Sequence, residues 1–194
     1  LTQAAGGTSI RTQKKFYIYN PDLTPAALPA AADALATVID ALSVKQVEQE
    51  FQQAKYLADK TEIYFFSQLT TLEAKKEFLK DFWRKTEAGS ASQPPRRRSE
   101  YLQRIAEADQ LFSAFRKGGW RTDRGRVYVL YGKPDEIERH PADAAKPYEI
   151  WHYYHIENGV QFIFVEKSGF GDYELVHSTK RGELEDHGWE RFIQ

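Results

Sequence analysis

Asp123, Arg124 and His177 are the side chains of this sequence that could carry acid–base chemistry or bind a small ligand. Asp172 and Glu174 precede His177 and Arg181 follows it, so two carboxylates, either of which could serve, and a cation lie near the imidazole in sequence. A histidine beside a carboxylate can exchange protons near neutral pH. A hydrogen-bonded histidine at a sheet edge is the more common case, and an arginine next to a turn commonly forms a structural ion pair. We therefore expect no catalytic residue and keep a hydrolase-like or small-ligand site near Asp123, Arg124 and His177 as the alternative hypothesis.

The remaining residue patterns predict no metal site and no cofactor. The chain has no cysteine, which excludes disulfides and thiolate metal sites. His152 and His155 are three residues apart on a predicted strand and so face opposite sides. The segment Gly169–Asp172 begins like a dinucleotide fingerprint, but it lacks the third glycine and precedes a predicted strand instead of a helix. We interpret it as a β-turn.

The residues from Gly118 to Arg124 join a predicted helix to a predicted strand. We expect Gly118–Gly119 to end the helix, because glycine readily adopts the left-handed backbone that helix ends favour. In a structural interpretation, Thr122 or Asp123 accepts backbone N–H groups in the turn while Trp120 fills the seam between helix and sheet. In a functional interpretation the same loop forms a ligand or peptide pocket, since loops between rigid elements commonly carry sites. We favour the structural interpretation.

The segment Gly119-Trp120-Arg121-Thr122-Asp123 resembles the signature of the bacterial GWxTD-domain family, which is named for this tetrad. The resemblance continues through residues 148–151, 168–173 and 176–182. The family has no assigned biochemical activity, and its members usually carry an export or lipoprotein signal and a β-rich region ahead of this domain. The resemblance therefore implies an exported protein, periplasmic or associated with the cell envelope. The candidate motif and binding residues are Gly119, Trp120, Thr122, Asp123, Arg124, Trp151, His177 and Arg181.

Composition limits the classes of function. The 194 residues are 41% hydrophobic and 14% aromatic, which is enough to form a core. The net charge of −1 gives no general attraction to nucleic acid, and no apolar run approaches the roughly 20 residues of a membrane helix. The one basic run, Arg96–Arg98, would contribute only modest affinity for phosphate. We expect neither a nucleic-acid partner nor a membrane-spanning segment.

The first part of the chain predicts mostly helices. Residues 1–20 are expected to form a tail and a short strand, which could be the remnant of an upstream β domain. A helical region follows over 21–118, with a flexible loop at 87–99 that contains Pro94 and Pro95. Ser43 with Gln46 and Thr70 with Glu73 predict capping boxes, Ser99 an N-cap, and residues 63–66 a helix. The chain also lacks methionine at position 1, which predicts a processed product or a piece of a longer protein.

The second part, 119–194, predicts a β-rich region. Residues 127–131 alternate with period two and predict a strand. Residues 148–156 and 160–165 flank Asn158-Gly159, a strong hairpin signal, and 173–177 predict a last strand. The carboxylates at 135–138 are interpreted as a solvated turn.

These elements predict an α+β fold in which an N-terminal helical region packs on a small three- to four-stranded antiparallel sheet. Residues 21–194 are expected to form one compact domain. The first hypothesis for its function is a non-enzymatic protein-interaction or structural module with a protein partner in the cell envelope. If an aromatic binding face exists, we expect it to be formed by Trp120, Tyr128, Trp151 and Tyr153. The partner, the ligand and the oligomeric state stay open.

Overall fold

The computed structural model describes residues 31–89, 96–114, 117–142 and 146–194. The predicted tail and strand within 1–20, and residues 90–95 of the predicted loop, lie outside these ranges. Within them, helices precede a four-stranded antiparallel sheet, which confirms the α+β prediction. The helices are α1 (Ala31–Asp40), α2 (Val44–Ala54), α3 (Lys60–Gln68), α4 (Leu72–Ala88), α5 (Arg98–Phe112) and α6 (Asp123–Tyr131); the strands are β1 (Glu136–His140), β2 (Tyr148–Tyr153), β3 (Val160–Glu166) and β4 (Tyr173–Ser178). Two 3-10 turns, Gly119–Arg121 and Trp189–Phe192, complete these elements.

Local capping signals account for the start of α2 and less well for the starts of α4 and α5. Ser43 forms the predicted capping box with Gln46 at the start of α2. The N-cap of α4 is Thr71 and not Thr70, and α5 begins one residue earlier than the predicted cap at Ser99. The predicted loop at 87–99 is also shorter than expected, because α4 continues to Ala88 and α5 has begun by Arg98.

The helical region is held by an aromatic cluster and a buried ion pair. Phe51 of α2 stacks on Phe66 of α3 with ring centroids 3.9 Å apart, which confirms that residues 63–66 are helical. The preceding residue of α2, Glu50, accepts two hydrogen bonds from Arg98, at 2.6 and 2.5 Å, and one from the indole of Trp83 at 2.8 Å. Arg98, which belongs to the basic run Arg96–Arg98, therefore forms a structural ion pair with Glu50.

The sheet has the order β1-β2-β3-β4, with every neighbouring pair antiparallel. The hairpin predicted at Asn158-Gly159 joins β2 to β3, with both residues at positive φ. Trp151 and Phe164 are fully buried on the face that packs against the helices. The other face is covered by the C-terminal segment, where Trp189 packs on a small cluster around Val165. The sheet therefore has both faces covered.

Two predictions for the second part of the chain are wrong. Residues 127–131, predicted as a strand, belong to helix α6, which begins at the N-cap Thr122 and ends at Gly132. Residues 136–138 of the predicted solvated turn lie in the edge strand β1, which spans Glu136–His140. The sheet nevertheless has four strands, because β1 takes the place of the strand expected at 127–131.

Candidate functional site

The residues around Trp120 form a junction between three elements: α5, the 3-10 turn and α6. We call this segment, Gly119 to Arg126, the motif junction. At its centre the backbones approach so closely that side chains are excluded. A Cβ added to Gly119 would lie 1.9 Å from the carbonyl oxygen of Ala108, and one added to Gly125 would lie 1.8 Å from the carbonyl oxygen of Gly119. Both glycines are buried, so the motif junction depends on close contact between main chains.

The predicted reason for Gly118–Gly119 is therefore wrong. Helix α5 already ends at Phe112, and Gly118 has an ordinary backbone conformation with φ of −58° and ψ of 143°. Neither glycine has a positive φ. Gly119 is needed because the backbone of α5 lies against it, not because it terminates a helix in a left-handed conformation.

Thr122 starts helix α6 and is 1% exposed. Its hydroxyl donates to the carbonyl oxygen of Gly119 at 2.7 Å and accepts the backbone N–H of Gly125 at 3.0 Å. A threonine oxygen that accepts an N–H from the first turn of a helix stabilises that helix end. Thr122 thus links the 3-10 turn to α6, as the structural interpretation expects.

Asp123 reaches across to the sheet. Its carboxylate accepts the backbone N–H of Leu175 at 2.8 Å. Leu175 lies on β4, which forms one edge of the sheet, and an edge strand has backbone groups without a strand partner. The carboxylate therefore ties the beginning of α6 to an edge strand instead of capping the turn in which it lies.

Arg124 is almost enclosed by protein. Its guanidinium lies 4.0 Å from the ring centroid of Tyr173 and donates to the carbonyl oxygen of Gly171 at 3.1 Å. It also faces the buried carboxylate of Glu149 on β2 at 3.4 Å, and this carboxylate accepts the indole N–H of Trp151 at 2.9 Å. The expected ion pair of Arg124 is present, and it joins α6 to β2 and to the turn before β4.

Arg126 makes a further link, to the segment after β4. Both of its terminal nitrogens donate to Glu183, at 2.9 and 2.7 Å, and the hydroxyl of Tyr131 donates to the same carboxylate. Burial alone would raise the pKa of Glu183, but these hydrogen bonds and the charge of Arg126 lower its pKa below the ordinary value. Glu183 therefore stays ionised and holds α6 to the C-terminal part of the chain.

Trp120 occupies a different position from the one expected. Its indole packs edge-on against Tyr56, which follows α2, and the hydroxyl of Tyr56 donates to the carbonyl oxygen of Trp120 at 2.9 Å. The backbone N–H of Trp120 donates to Asp109 on α5. Trp120 thus contacts the helical region and does not fill the seam between helix and sheet. One side of the indole lines an open groove beside α2.

The structure does not bring His177 together with Asp123. His177 pairs with Ile163 on β3, and Ile163 belongs to the cluster under the C-terminal segment. Leu175, which Asp123 contacts, pairs with Phe164 on the opposite face, which is packed against the helices. The Nδ1 atom of His177 accepts the backbone N–H of Asp186. The geometry therefore provides no acid–base couple between Asp123 and His177.

The other sequence candidates have structural positions. Trp151 and Tyr153 are 0% exposed and Tyr128 is 9% exposed, so these three rings belong to the core and present no aromatic face to a partner. Burial and a hydrogen bond to Glu107 raise the pKa of Tyr128 to about 12. Arg181 is exposed after β4, where its backbone N–H donates to a glutamate of the β2–β3 turn.

Within the described ranges, no three His, Asp or Glu side chains are grouped so that they could hold a metal ion. None of the described helices combines the length and apolar character that crossing a bilayer requires.

Two cavities of the structure were not predicted from the sequence. The first is the groove beside α2 that Trp120 lines, and the second lies between the helices and the loops of the sheet and contains Arg96 and Arg104. The run Arg96–Arg98 was visible in the sequence, but the sequence did not indicate that Arg98 forms a salt bridge while Arg96 lines a cavity. That division depends on where α5 begins relative to Glu50.

Comparison with known proteins places the chain in a family. No curated protein and no solved structure matches it. The family described as the GWxTD domain matches residues 39–192, which is most of the chain and includes the whole motif junction, the six-helix region from the end of α1 onward and all four strands. The chain therefore belongs to the GWxTD domain family.

Proposed function

We propose that this domain is a non-enzymatic protein-interaction module of an exported bacterial protein, and that its partner binds in the groove beside Trp120. One observation carries the proposal. The polar groups of Thr122 and Asp123 are already bound to the protein's own backbone, whereas the Trp120 indole lines an open groove. Trp120 is thus the motif side chain with a surface available to a partner.

We call this cavity, between α2, α3 and Trp120, the Trp120 groove. Its volume is about 620 Å³, and its partly exposed apolar side chains are Ile63 and Trp120, with the buried rings of Phe51 and Phe66 beneath the surface. Aromatic side chains are enriched where proteins bind each other, because they bury a large apolar area with little loss of conformational freedom. A groove with an aromatic wall and an apolar lining suits the side chains of a bound polypeptide.

The charges around the Trp120 groove favour an acidic partner. Lys45, Lys55 and Arg121 line it, and within the described ranges these three cations have no carboxylate within ion-pair distance. Lys75 is bound to Glu48, the carboxylate that also lines the groove. The Arg121 guanidinium lies 4.9 Å from the Trp120 ring centroid. We therefore propose a polypeptide segment with apolar and acidic side chains as the ligand, because opposite charge at the rim guides association.

Site-specific photo-crosslinking tests the groove from exposed positions. A photo-reactive residue at Gln52, which is exposed and lines the Trp120 groove, is compared with one at Gln103, which is exposed on α5 outside it. In cells that produce the full-length protein, we expect a discrete crosslinked partner from position 52 and none from position 103. Adding Trp120→Ala should remove the crosslink, while the circular dichroism spectrum should still be that of a folded protein.

The same experiment can contradict the proposal. Crosslinking that is equal at both positions, or that persists unchanged in Trp120→Ala, would show that the Trp120 groove is not the binding surface. A second control, Trp189→Ala, removes a partly buried indole that packs on the other face of the sheet. It should leave the crosslink from position 52 intact.

The cellular location needs its own test. Export to the periplasm or association with the cell envelope is proposed because relatives with this motif usually carry an export signal. Fractionation of cells that produce the tagged full-length gene product should place it in the periplasmic or envelope fraction. Recovery with a cytoplasmic marker enzyme would contradict this part of the proposal.

A further inference from the structure

A second cavity, which shares no lining residue with the Trp120 groove, lies between the helices and the loops of the sheet. Its walls come from the segment after α2, the end of α4, the start of α5, α6, and the turns at 155–157 and 180–183. Its volume is about 760 Å³, within the range of small-molecule sites. We call it the arginine pocket, for Arg96 and Arg104. It does not include Asp123, Arg124 or His177, so it is distinct from the small-ligand site considered from the sequence.

Several charges of the arginine pocket neutralise one another. Arg126 is bound by both terminal nitrogens to Glu183. Lys180 is bound to Glu157 at 2.8 Å. These two pairs are satisfied within the protein and leave little capacity for an added ligand.

Arg96 and Arg104 are in a different situation. Both are partly buried and line the cavity, and neither has a carboxylate within ion-pair distance in the described ranges. The nearest acceptor for Arg104 is the carbonyl oxygen of Val129, at a marginal 3.5 Å. Burial and the neighbouring charge of Arg104 lower the pKa of Arg96 below its ordinary value. Two like charges held together and partly removed from water are unfavourable unless an anion joins them.

The rest of the cavity wall is mixed: Thr86, Arg97, Glu100 and His155 are polar or charged, and the other residues are apolar or aromatic. Leu57, Leu130 and Ile156 line it together with the ring of Tyr131, whose hydroxyl is already donated to Glu183. The Arg104 guanidinium packs close to the backbone at Gly132, where an added Cβ would lie 3.4 Å from it. A ligand with an apolar body and one anionic group would match both parts of the wall.

We propose that the arginine pocket binds a small organic anion, with a phosphate or carboxylate group held between Arg96 and Arg104 and an apolar body against Leu57, Leu130 and Ile156. The planar guanidinium presents paired N–H donors in a geometry that fits either oxyanion. This binding site is independent of the Trp120 groove. It does not require the domain to be an enzyme.

Calorimetric titration of the folded domain at low ionic strength tests the proposal with phenyl phosphate, benzoate and inorganic phosphate as probes. We expect saturable binding of phenyl phosphate or benzoate with one site per chain, and weaker binding of inorganic phosphate, which lacks the apolar body. Arg96→Gln and Arg104→Gln should each weaken binding about tenfold or more, since each removes a charged hydrogen-bond donor. Arg84→Gln, which removes an exposed charge of α4, should leave the affinity unchanged.

Thermal unfolding separates loss of binding from loss of folding. Without ligand, the two pocket variants should melt no lower than the wild type, because their arginines have no ion pair to lose. With phenyl phosphate, the melting temperature of the wild type should rise. The melting temperature of the double variant, which carries both Arg96→Gln and Arg104→Gln, should not. The proposal is overturned if the wild type binds neither organic probe saturably, or if the double variant binds as tightly as the wild type. Equal affinity for inorganic phosphate and phenyl phosphate would overturn the role of the apolar wall.

Discussion

Replacing Gly119 by alanine would introduce a methyl group where the motif junction has no space. The added Cβ would lie 1.9 Å from the carbonyl oxygen of Ala108 and 2.8 Å from the Cα of Asp109, both on the backbone of α5. Backbone atoms cannot rotate away as the end of a flexible side chain can, so α5 and the 3-10 turn must separate. Overpacking of a core costs about 1–3 kcal/mol. Because this contact is between main chains, we expect a loss of about 3 kcal/mol or more in the free energy of unfolding.

The matched control is the preceding glycine. In Gly118→Ala the nearest atom to the new methyl group would be a side-chain oxygen of Asp109 at 3.2 Å, and φ and ψ at Gly118 suit alanine. We expect a change within about 1 kcal/mol, because the reduced freedom of the unfolded chain offsets the tighter contact. Gly125→Ala, with a contact of 1.8 Å to the carbonyl oxygen of Gly119, should behave like Gly119→Ala.

Thermal unfolding followed by circular dichroism measures these differences. For a domain of this size, about 3 kcal/mol corresponds to a fall of about 6–12 °C in melting temperature. The control should shift by only a few degrees. If Gly119→Ala melted with the wild type, or no lower than Gly118→Ala, then the close contact of α5 with the 3-10 turn would not be what the motif glycine provides.

Two further predictions concern charged groups. Because the folded-state pKa of Glu183 is depressed, its contribution to stability is present above its unfolded pKa of about 4.3 and is lost as pH falls through the lower folded value. The difference in unfolding free energy between wild type and Glu183→Gln, measured by urea titration, should therefore shrink as the pH is lowered from 7 to about 3; a constant difference would contradict this linkage. In the helical region, Glu50→Ala leaves Arg98 without its partner and should cost about 3–5 kcal/mol, whereas Glu48→Ala, which breaks an exposed pair with Lys75, should cost less than about 1 kcal/mol. If the same titration gave equal losses of unfolding free energy in the two variants, burial of the Glu50–Arg98 pair would not increase its contribution to stability.

The parts of the fold that sequence could predict are those encoded by local chemistry. Ser43 and Gln46 form their capping box from neighbouring side chains alone. Asn158 and Gly159 tolerate the positive φ that a tight hairpin turn requires, and the hairpin forms where expected. These signals do not depend on the remainder of the chain.

Helix α6 shows why the prediction for residues 127–131 failed. Val127, Tyr128 and Val129 are consecutive and all buried, because α5 covers one side of the helix and the sheet another. A helix buried on several sides loses the amphipathic period, and valine at alternate positions then imitates a strand. The cap Thr122 and the positive-φ Gly132 at the end of the helix were the signals that could have identified it.

The edge strand β1 was missed for the opposite reason. Its sequence has one aliphatic side chain, Ile137, among charged and polar residues, so no apolar alternation is visible. Edge strands commonly carry charges, which discourage pairing with other chains. Its existence depends on pairing with β2, which lies later in the chain.

The candidate sites were only partly accessible from sequence. The turn-forming chemistry of Thr122 and Asp123 predicts that they accept backbone N–H groups. It does not predict that Asp123 accepts the N–H of Leu175, which lies far away in the chain. The same holds for the approach of Arg96 to Arg104 across the arginine pocket. Such contacts arise only when the helices dock on the sheet.

Amide hydrogen exchange at Leu175 tests most directly whether the motif aspartate joins helix α6 to the sheet. In the wild type the Leu175 N–H should be strongly protected, because it donates to the Asp123 carboxylate. In Asp123→Ala its protection should fall about tenfold or more beyond any change at the Phe164 amide of β3, since a hydrogen bond to a charged group is worth about 1.5–3 kcal/mol. A Leu175 amide that exchanges rapidly in the wild type, or that keeps its full protection in Asp123→Ala, would contradict the account.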